Sequence, residues 1–331
     1  MKHFLVTAFS RNAFLLLIKA YGWEQPAEII IPAFTCPVIK HTVEAANVKA
    51  VPVDAEPNGL NIDPEAIKEA ITPNTKAIYV VHTYGTPVQI EKICAIAREH
   101  DLIVIEDLAH TLFTTYKGHQ LGTFGDFAIL SFTKQIIDFE GGAVATNNTE
   151  IYNKMLQLRE EYQQPGSFSF GGLIDSYVRI VGSWWESGFS LPALVMMKFH
   201  DRLNRLIYKG SYGISIDYSK FYASSLGSWL VLVQLDKLYK KKMKLDFVEN
   251  SGVLNQAVGK PRFRSPYNVG MAILGSDYEK LLSFRTWHNA NEPGHYPRAD
   301  RLHDNLRIFS KMKSLFGKQQ KAVPKDSILD I

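Results

Sequence analysis

The chain has 331 residues, 46% of them hydrophobic and 21% charged, and its formal net charge is +4. This length is too great for one small domain and predicts a large α/β domain with a smaller second one. The small charge comes without a long basic stripe, which argues against nucleic acid as a partner. The two cysteines suggest neither a disulfide framework nor a zinc site, and no metal site is predicted.

The N-terminus and the apolar stretches of the chain indicate where in the cell the protein is expected. The N-terminus lacks the design of a signal peptide and the cysteine usage fits a reducing compartment, so we expect a cytoplasmic protein. The longest apolar stretch, residues 187–197, contains Pro192 and is about half the ~20 residues of a membrane span. Trp184, Trp185 and Phe189 leave a peripheral membrane contact open, beside ordinary packing or a dimer contact.

Short β-rich runs alternate with amphipathic stretches in the first half of the chain. Helices are predicted at residues 64–70 and 90–100, and the first of these begins with a capping Asp63 followed by Pro64. This alternation is typical of a mainly parallel sheet with helices on both faces. The predicted strands are residues 28–31, 50–53, 77–81, 102–106, 127–132 and 143–146.

The second half of the chain is predicted to be more helical. We expect a helix at 151–162, a loop at 163–172 and one long helix at 224–247, which completes a large domain of residues 1–248. A smaller α+β unit follows at 249–315, with a strand at 268–274 and a helix at 277–284. Residues 316–331 are polar and predict a flexible tail.

Chemically useful side chains follow several of the predicted strands. In open α/β sheets, ligands bind outside the carboxyl ends of the strands, so these side chains are expected to converge on one edge. They are His82 and Tyr84, then Asp107 and His110, and finally Ser131 and Lys134.

Six short motifs occur in a fixed order along the first half. They are PAFTCP at 32–37, NIDPE at 61–65, EDLAH at 106–110, LGTFGD at 121–126, SFTK at 131–134 and EGG at 140–142. The set resembles the DegT/DnrJ/EryC1/StrS family of pyridoxal-phosphate (PLP) sugar aminotransferases. The likeness covers about residues 5–160, and weaker similarity continues around 226–238. It implies the aspartate-aminotransferase-like fold, called fold type I, and PLP as the cofactor.

The resemblance assigns roles around the cofactor ring. Lys134 would link covalently to PLP and, once released, move a proton on the substrate. Asp107 would pair with the pyridine nitrogen, and His110 would lie against the ring or near its phenolic oxygen. A surface lysine, a capping aspartate and a structural histidine are the alternative readings of these three residues.

The phosphate is expected at the start of the first helix. Ser10 is read as its N-cap, and the family places a phosphate-binding turn here, which implicates Arg11 and Asn12. Ser131 matches the family's phosphate-contacting serine. A plain helix cap and a buried strand serine are the alternatives.

Some positions depart from the family pattern. Cys36 stands where many members place an aromatic residue over the ring, and Phe34 is the nearest aromatic side chain in sequence. The asparagine that many members donate to the other subunit is missing around 218–222, and the chain starts almost directly at the phosphate turn.

The family implies an aminotransferase that moves an amino group, with glutamate as a donor, to a nucleotide-linked keto-sugar. The product would enter lipopolysaccharide, another surface polysaccharide or an amino sugar, and the enzyme would be a homodimer. Two alternatives stay open. One is a catalytically inactive or regulatory member, which the departures favour, and the other is a dehydratase or lyase reaction on the same fold.

Overall fold

The computed structural model describes residues 1–57, 59–83, 86–111, 114–132, 141–162, 221–222, 245–246, 269–274, 289–290, 292 and 294–310. Strands and helices alternate through the first half, as the sequence pattern predicts. In chain order they are β1 (His3–Thr7), α1 (Ser10–Tyr21), β2 (Glu28–Pro32), β3 (Phe34–Thr35), α2 (Pro37–Ala45), β4 (Lys49–Val53), α3 (Pro64–Ala70), β5 (Thr75–Val81), α4 (Ile90–Glu99), β6 (Ile103–Asp107), β7 (Thr114–Tyr116), β8 (His119–Gln120), β9 (Phe127–Ser131), β10 (Gly142–Thr146) and α5 (Thr149–Glu161).

Shorter elements follow in the second half. They are β11 (Leu245–Asp246), β12 (Val269–Leu274), β13 (Asn289–Ala290), α6 (Pro297–Asn305) and β14 (Leu306–Ser310). Strands β12 and β14 pair antiparallel, while β13 pairs antiparallel with β3 of the first half.

Seven strands form the central sheet in the order β1-β10-β9-β6-β5-β2-β4. The ladders from β9 through β6, β5 and β2 to β4 are parallel, whereas β10 runs antiparallel to both of its neighbours. The carboxyl ends of β6 and β9 therefore meet the beginning of β10 at one edge of the sheet. This mainly parallel sheet confirms the architecture predicted from the sequence.

The two faces of the sheet carry different helices. Buried side chains of α1, α2 and α5 pack on one face with alternate strand residues such as Ile29, Tyr79 and Ile105. Helices α3 and α4 pack on the other face with Ile78 and Val104. The buried residues of β5 and β6 thus belong to two cores, because successive strand residues point to opposite sides.

Local signals explain several element boundaries. The Asp63 carboxylate accepts a hydrogen bond of 3.0 Å from the Glu65 amide, and Pro64 opens α3, as predicted. Helix α5 is capped in the same way by Asn148, whose side-chain oxygen accepts a 3.0 Å bond from the Ile151 amide. Short polar side chains that replace missing intrahelical partners therefore fix both starts.

The predicted strands are confirmed within one or two residues, as is the strand predicted at 268–274. Strand β1 was missed, and so was helix α2, which begins at Pro37 and buries Ile39, Thr42 and Val43 at helical spacing. The short strands β3, β7, β8 and β13, helix α6 and strand β14 were not predicted either. The long helix predicted at 224–247 is wrong at its end, because Leu245–Asp246 pairs in parallel with Thr114–Thr115. Ladder hydrogen bonds to an open strand edge outweigh helix propensity there.

Other predictions lie outside the described residues. These are the loop at 163–172, most of the long helix, the helix at 277–284 and the tail from 316. The boundary between a large and a small domain therefore stays a prediction.

The C-terminal segment is tied to the first half by polar contacts. The Asp54 carboxylate accepts bonds of 3.1 Å from the Arg298 amide and 2.8 Å from the Ala299 amide at the start of α6. The Arg298 guanidinium in turn donates to Asp63 at 2.6 Å. An ion pair of 2.7 Å between Lys40 and Glu292 adds a second link. Helix α6 is thus capped by a residue that directly follows β4.

Among the helices in the described ranges, none has the length and apolar content that crossing a membrane requires. The same ranges contain no cluster of three or more His, Cys, Asp or Glu side chains placed to hold a metal ion.

Candidate functional site

Two of the predicted site residues end neighbouring parallel strands. Asp107 is the last residue of β6 and Ser131 the last of β9, with 8% and 4% of their surfaces exposed. Alternation places both on the face that carries α1, because Ile105 and Ile129 belong to that core. Asp107 is paired with Ile129 in the ladder, so Ser131 lies about 7 Å farther along the sheet edge.

The start of α1 differs in detail from the prediction. Phe9 is the N-cap residue and Ser10 is already helical, so the reading of Ser10 as the cap is wrong. The Thr7 hydroxyl donates a 2.8 Å hydrogen bond to the Phe9 carbonyl just before the helix begins. The Phe9 side chain has no polar atom and makes no capping hydrogen bond, so the N-cap residue itself does not cap the first turn of α1.

Gly142 brings this helix start against the sheet edge. It is paired with Ser131 in the β9–β10 ladder. A Cβ at this position would collide with the Ser10 nitrogen and with the carbonyl group of Phe9. Only a residue without a side chain allows this approach, so the N-terminus of α1 lies beside Ser131. Helix N-termini attract anions through their amide groups and the helix dipole.

Arg11 and Asn12 belong to the first turn of α1. The Arg11 guanidinium carbon lies 4.0 Å from the centroid of the Phe9 ring, and Asn12 is fully buried. The structure therefore brings Arg11, Asn12 and Ser131 to one corner of the sheet.

The Asp107 carboxylate is held by two donors. Its Oδ1 accepts a 2.7 Å bond from the Ala109 amide and its Oδ2 accepts a 2.7 Å bond from the Tyr79 hydroxyl. Burial, followed by the Asp107 charge and this hydrogen bond, raises the pKa of Tyr79 well above its usual value. The phenol therefore stays protonated and acts as the donor. Tyr79 was not predicted as a site residue, although a buried tyrosine in a strand signals a polar partner nearby.

His110 lies in the turn that follows β6. It is buried, with 7% of its surface exposed, and the turn is closed by a 3.1 Å bond from the Thr111 amide to the Leu108 carbonyl. The Asp107–Ala109 bond is part of the same turn, so the position of His110 is coupled to that of Asp107.

Phe34 and Cys36 follow β2 on the neighbouring side. Phe34 is buried in β3, and Cys36 is the N-cap residue of α2 with its side chain partly exposed. The Cys36 thiol is one of the groups that influence the pKa of Tyr79, which places it near the Asp107 side of the sheet. Lys134 and Tyr84 lie outside the described residues.

His82 lies at this edge, because it follows Val81, the ladder partner of Asp107, but it is on the other face of the sheet. The prediction that both imidazoles converge is therefore corrected. His82 is fully buried, with Nε2 3.2 Å from Oε2 of Glu106. The Val88 amide donates to Nδ1 at 3.2 Å, so Nδ1 accepts and Nε2 carries the proton that bonds Glu106. His82 thus belongs to a structural cluster around Glu106.

The chain resembles several known proteins. A sequence model of the DegT/DnrJ/EryC1/StrS aminotransferase family matches residues 1–168. GDP-perosamine synthase from Caulobacter vibrioides is 35% identical over 167 residues, which cover 50% of this chain and 45% of that protein. L-glutamine:2-deoxy-scyllo-inosose aminotransferase from Micromonospora echinospora is 35% identical over 161 residues, covering 48% and 38%. The chain spans less than half the length of these curated relatives.

The X-ray structure of the aminotransferase from Psychrobacter cryohalolentis covers 72% of this chain and 53% of its own, with a TM-score of 0.51 and 23% identity. At this identity the likeness shows the fold alone, which is the fold-type-I architecture predicted from the sequence. The family match spans half of the chain and contains all six ordered motifs. The chain therefore belongs to the DegT/DnrJ/EryC1/StrS aminotransferase family.

Proposed function

We propose that this protein binds PLP and transfers an amino group from an amino acid to a keto-sugar carried on a nucleotide. The observation that supports this most directly is the placement of the Asp107 carboxylate. It lies on the same face and edge of the sheet as Ser131 and the start of α1. When bound, PLP supplies the electron sink for chemistry at an amine-bearing carbon, and the protein orients it.

The corner at Gly142 fits the phosphate end of such a cofactor. The first turn of α1 follows Phe9, whose side chain makes no capping hydrogen bond, and the missing Cβ of Gly142 allows this helix start to approach β10. Arg11 adds positive charge to the same turn, and Ser131 adds a hydroxyl. We propose that these groups, with Asn12, hold the phosphate.

The Asp107 carboxylate fits the ring end. Within the described part of the chain, each of its oxygens accepts one hydrogen bond, whereas a carboxylate can accept about four in all. The carboxylate can therefore accept a further hydrogen bond, and a protonated pyridine nitrogen is a suitable donor. We propose that Asp107 accepts this bond and that His110, in the adjoining turn, contacts the ring.

Lys134 is the proposed covalent anchor and proton carrier. It follows Ser131 by three residues in the sequence, and Ser131 ends β9 at the edge where Asp107 lies. Phe34 and Cys36, after β2, are proposed as further neighbours of the ring. The proton transfers of amino-group exchange need a basic amine near the reacting carbon, and a lysine supplies it.

The substrate class is inferred from the family. The name of one relative, GDP-perosamine synthase, refers to a nucleotide-linked amino sugar, and the name of another refers to L-glutamine and a cyclitol ketone. We propose a nucleotide-linked keto-sugar as acceptor and glutamate as donor, in surface polysaccharide or amino-sugar biosynthesis. A cytoplasmic homodimer is part of the same proposal.

The first experiment tests cofactor attachment. Purified protein is incubated with PLP, desalted, reduced with borohydride and digested, and mass spectrometry locates the added mass. We expect it on the peptide that contains Lys134 and expect Lys134→Ala to lose it. Lys68→Ala, which removes an exposed lysine of α3, is the matched control and should retain attachment. A wild-type chain that takes up no PLP would overturn the proposal in favour of a non-catalytic family member.

The second experiment separates an aminotransferase from a lyase. The PLP-loaded protein is mixed with L-glutamate or L-glutamine, and the released 2-oxo acid is measured against the amount of PLP. We expect one 2-oxo acid per PLP from glutamate, and continued turnover once a suitable nucleotide keto-sugar is added. Release of ammonia without transfer to any keto-sugar would contradict the aminotransferase assignment.

A further inference from the structure

Tyr79 places a polar group in the middle of an apolar core. It lies on β5 with 2% of its surface exposed, and its ring packs against Phe14 of α1 with the centroids 4.5 Å apart. A phenol buried at this depth requires a hydrogen-bond partner, because an unpaired buried hydroxyl is costly. Its partner is Oδ2 of Asp107, at 2.7 Å on the neighbouring strand.

The Tyr79 bond acts together with the turn after β6. The Ala109 amide holds Oδ1 at 2.7 Å and the phenol holds Oδ2 at the same distance, so both oxygens of the carboxylate are constrained. Two bonds to different oxygens fix the rotation of a carboxylate group, which a single bond leaves free. The plane of the Asp107 carboxylate is therefore set by the protein alone, before any ligand binds.

We propose that Tyr79 is a positioning residue for the cofactor ring: its phenol holds the Asp107 carboxylate so that a remaining lone pair faces the ring nitrogen of PLP. This inference rests on the proposed function and adds a residue that does not itself touch the cofactor. The hydrogen bond to a charged oxygen is of the strong, short class, so its loss frees the carboxylate to rotate. In that case PLP binding must also order the Asp107 carboxylate, and this lowers the affinity.

The role can be tested by removing one atom. Tyr79→Phe keeps the ring that packs on Phe14 and deletes only the hydroxyl. Tyr21→Phe is the matched control, since Tyr21 packs beside the same core and its charged neighbours are Asp126 and Glu150 rather than Asp107. Each full-length variant is titrated with PLP and with 1-deaza-PLP, an analogue in which a carbon replaces the ring nitrogen.

The two cofactors separate positioning from general damage to the fold. We expect Tyr79→Phe to bind PLP about tenfold more weakly, the value of one hydrogen bond to a charged group. Binding of 1-deaza-PLP should change by less than about twofold, because this analogue offers Asp107 no ring proton. Tyr21→Phe should leave both affinities unchanged. Tyr79→His, which retains a ring donor, should recover part of the preference for PLP.

Other results would overturn the inference. Equal losses for both cofactors in Tyr79→Phe would mean that the tyrosine only supports the fold, and unchanged PLP affinity would mean that the phenol does not act on the cofactor. The proposed function survives in either case if the wild-type protein binds PLP through Lys134. A wild-type protein that binds neither cofactor would overturn both proposals together.

Discussion

Glu106 and Asp107 are consecutive carboxylates of one strand, yet the fold uses them differently. Oε1 of Glu106 accepts bonds from the Phe124 and Gly125 amides at 2.9 and 2.7 Å. Its Oε2 accepts bonds from the Gly122 amide at 2.9 Å and from His82 at 3.2 Å. Four donors occupy the capacity of that carboxylate.

Asp107, on the other face, has two donors within the part of the chain that the structure describes. It also retains 8% of its surface exposed, whereas Glu106 has none. Within the described residues, the fold fills the accepting capacity of Glu106 but not that of Asp107, which is why we propose Asp107 as the carboxylate that binds the cofactor. Satisfied hydrogen-bonding capacity, rather than burial alone, distinguishes the two.

The Glu106 cluster also explains the LGTFGD motif. Gly122 has φ of +88°, and a Cβ there would meet Leu108 at 2.5 Å. The loop can therefore bend toward Glu106 and direct three amides at it only with glycine at that position. The motif that helped to identify the family thus has a structural role at this point.

The Glu106→Gln substitution is expected to have the largest effect, which is on the free energy of unfolding. An amide nitrogen cannot accept the backbone bonds that the lost oxygen accepted, and the buried charge that binds four donors disappears. We expect the free energy of unfolding to fall by at least about 3 kcal/mol, measured by urea denaturation without PLP. Glu69→Gln, an exposed change on α3, is the control. If Glu106→Gln were as harmless as Glu69→Gln, Glu106 would not stabilise the fold and its contrast with Asp107 would be wrong.

The same chemical change one residue later should act on the cofactor instead. Asp107→Asn is expected to weaken PLP binding about 100-fold, because a charge-assisted bond to the ring nitrogen is lost. The free energy of unfolding without PLP should fall by only about 1 kcal/mol, since two protein hydrogen bonds are weakened. A PLP titration and a urea denaturation of the same sample measure both. Normal PLP affinity in this variant would contradict the assignment of Asp107 to the ring.

Asp54 offers a third carboxylate at a strand end, used to hold the C-terminal segment. Asp54→Ala removes both acceptors of the α6 cap and should cost about 1 kcal/mol of unfolding free energy. Hydrogen exchange of the Arg298 and Ala299 amides should accelerate. Asp54→Asn, which keeps one acceptor oxygen, should show a smaller acceleration of the same amides. Unchanged exchange in the alanine variant would mean that the cap does not hold in solution.

The smallest expected effect compares the two cysteines, one near each carboxylate. Burial, followed by the Glu106 charge, raises the pKa of the Cys94 thiol to about 12. Its thiolate fraction at pH 8 is then on the order of 10⁻⁴, so alkylation should be slow with or without PLP. Cys36, on the Asp107 side, should become several-fold slower when PLP binds. Mass spectrometry of iodoacetamide-treated protein gives both alkylation rates. If PLP protected Cys94 rather than Cys36, the cofactor would bind on the Glu106 face of the sheet and not on the Asp107 face.

Much of this protein could be predicted locally. The Asp63-Pro64 start of α3 and the β-rich runs of the central strands depend on neighbours in sequence, so capping and periodicity identify them. Strand β1 and the Leu245–Asp246 strand could not be found in this way. Each depends on a partner strand more than a hundred residues away, Gly142–Thr146 for the first and Thr114–Tyr116 for the second.

The order of motifs, the family and the alternation of strands and helices follow from the sequence alone, because each depends on short-range patterns. The observed strand β6 extends to Asp107, so Glu106 and Asp107 point to opposite sides of the sheet. Which face of the sheet each carboxylate occupies depends on the packing of the strands and helices. The order of strands in the sheet places Tyr79 beside Asp107 and His82 beside Glu106. Hydrogen bonds between strands far apart in sequence therefore distinguish Asp107, the carboxylate proposed to bind the cofactor, from Glu106, which stabilises the fold.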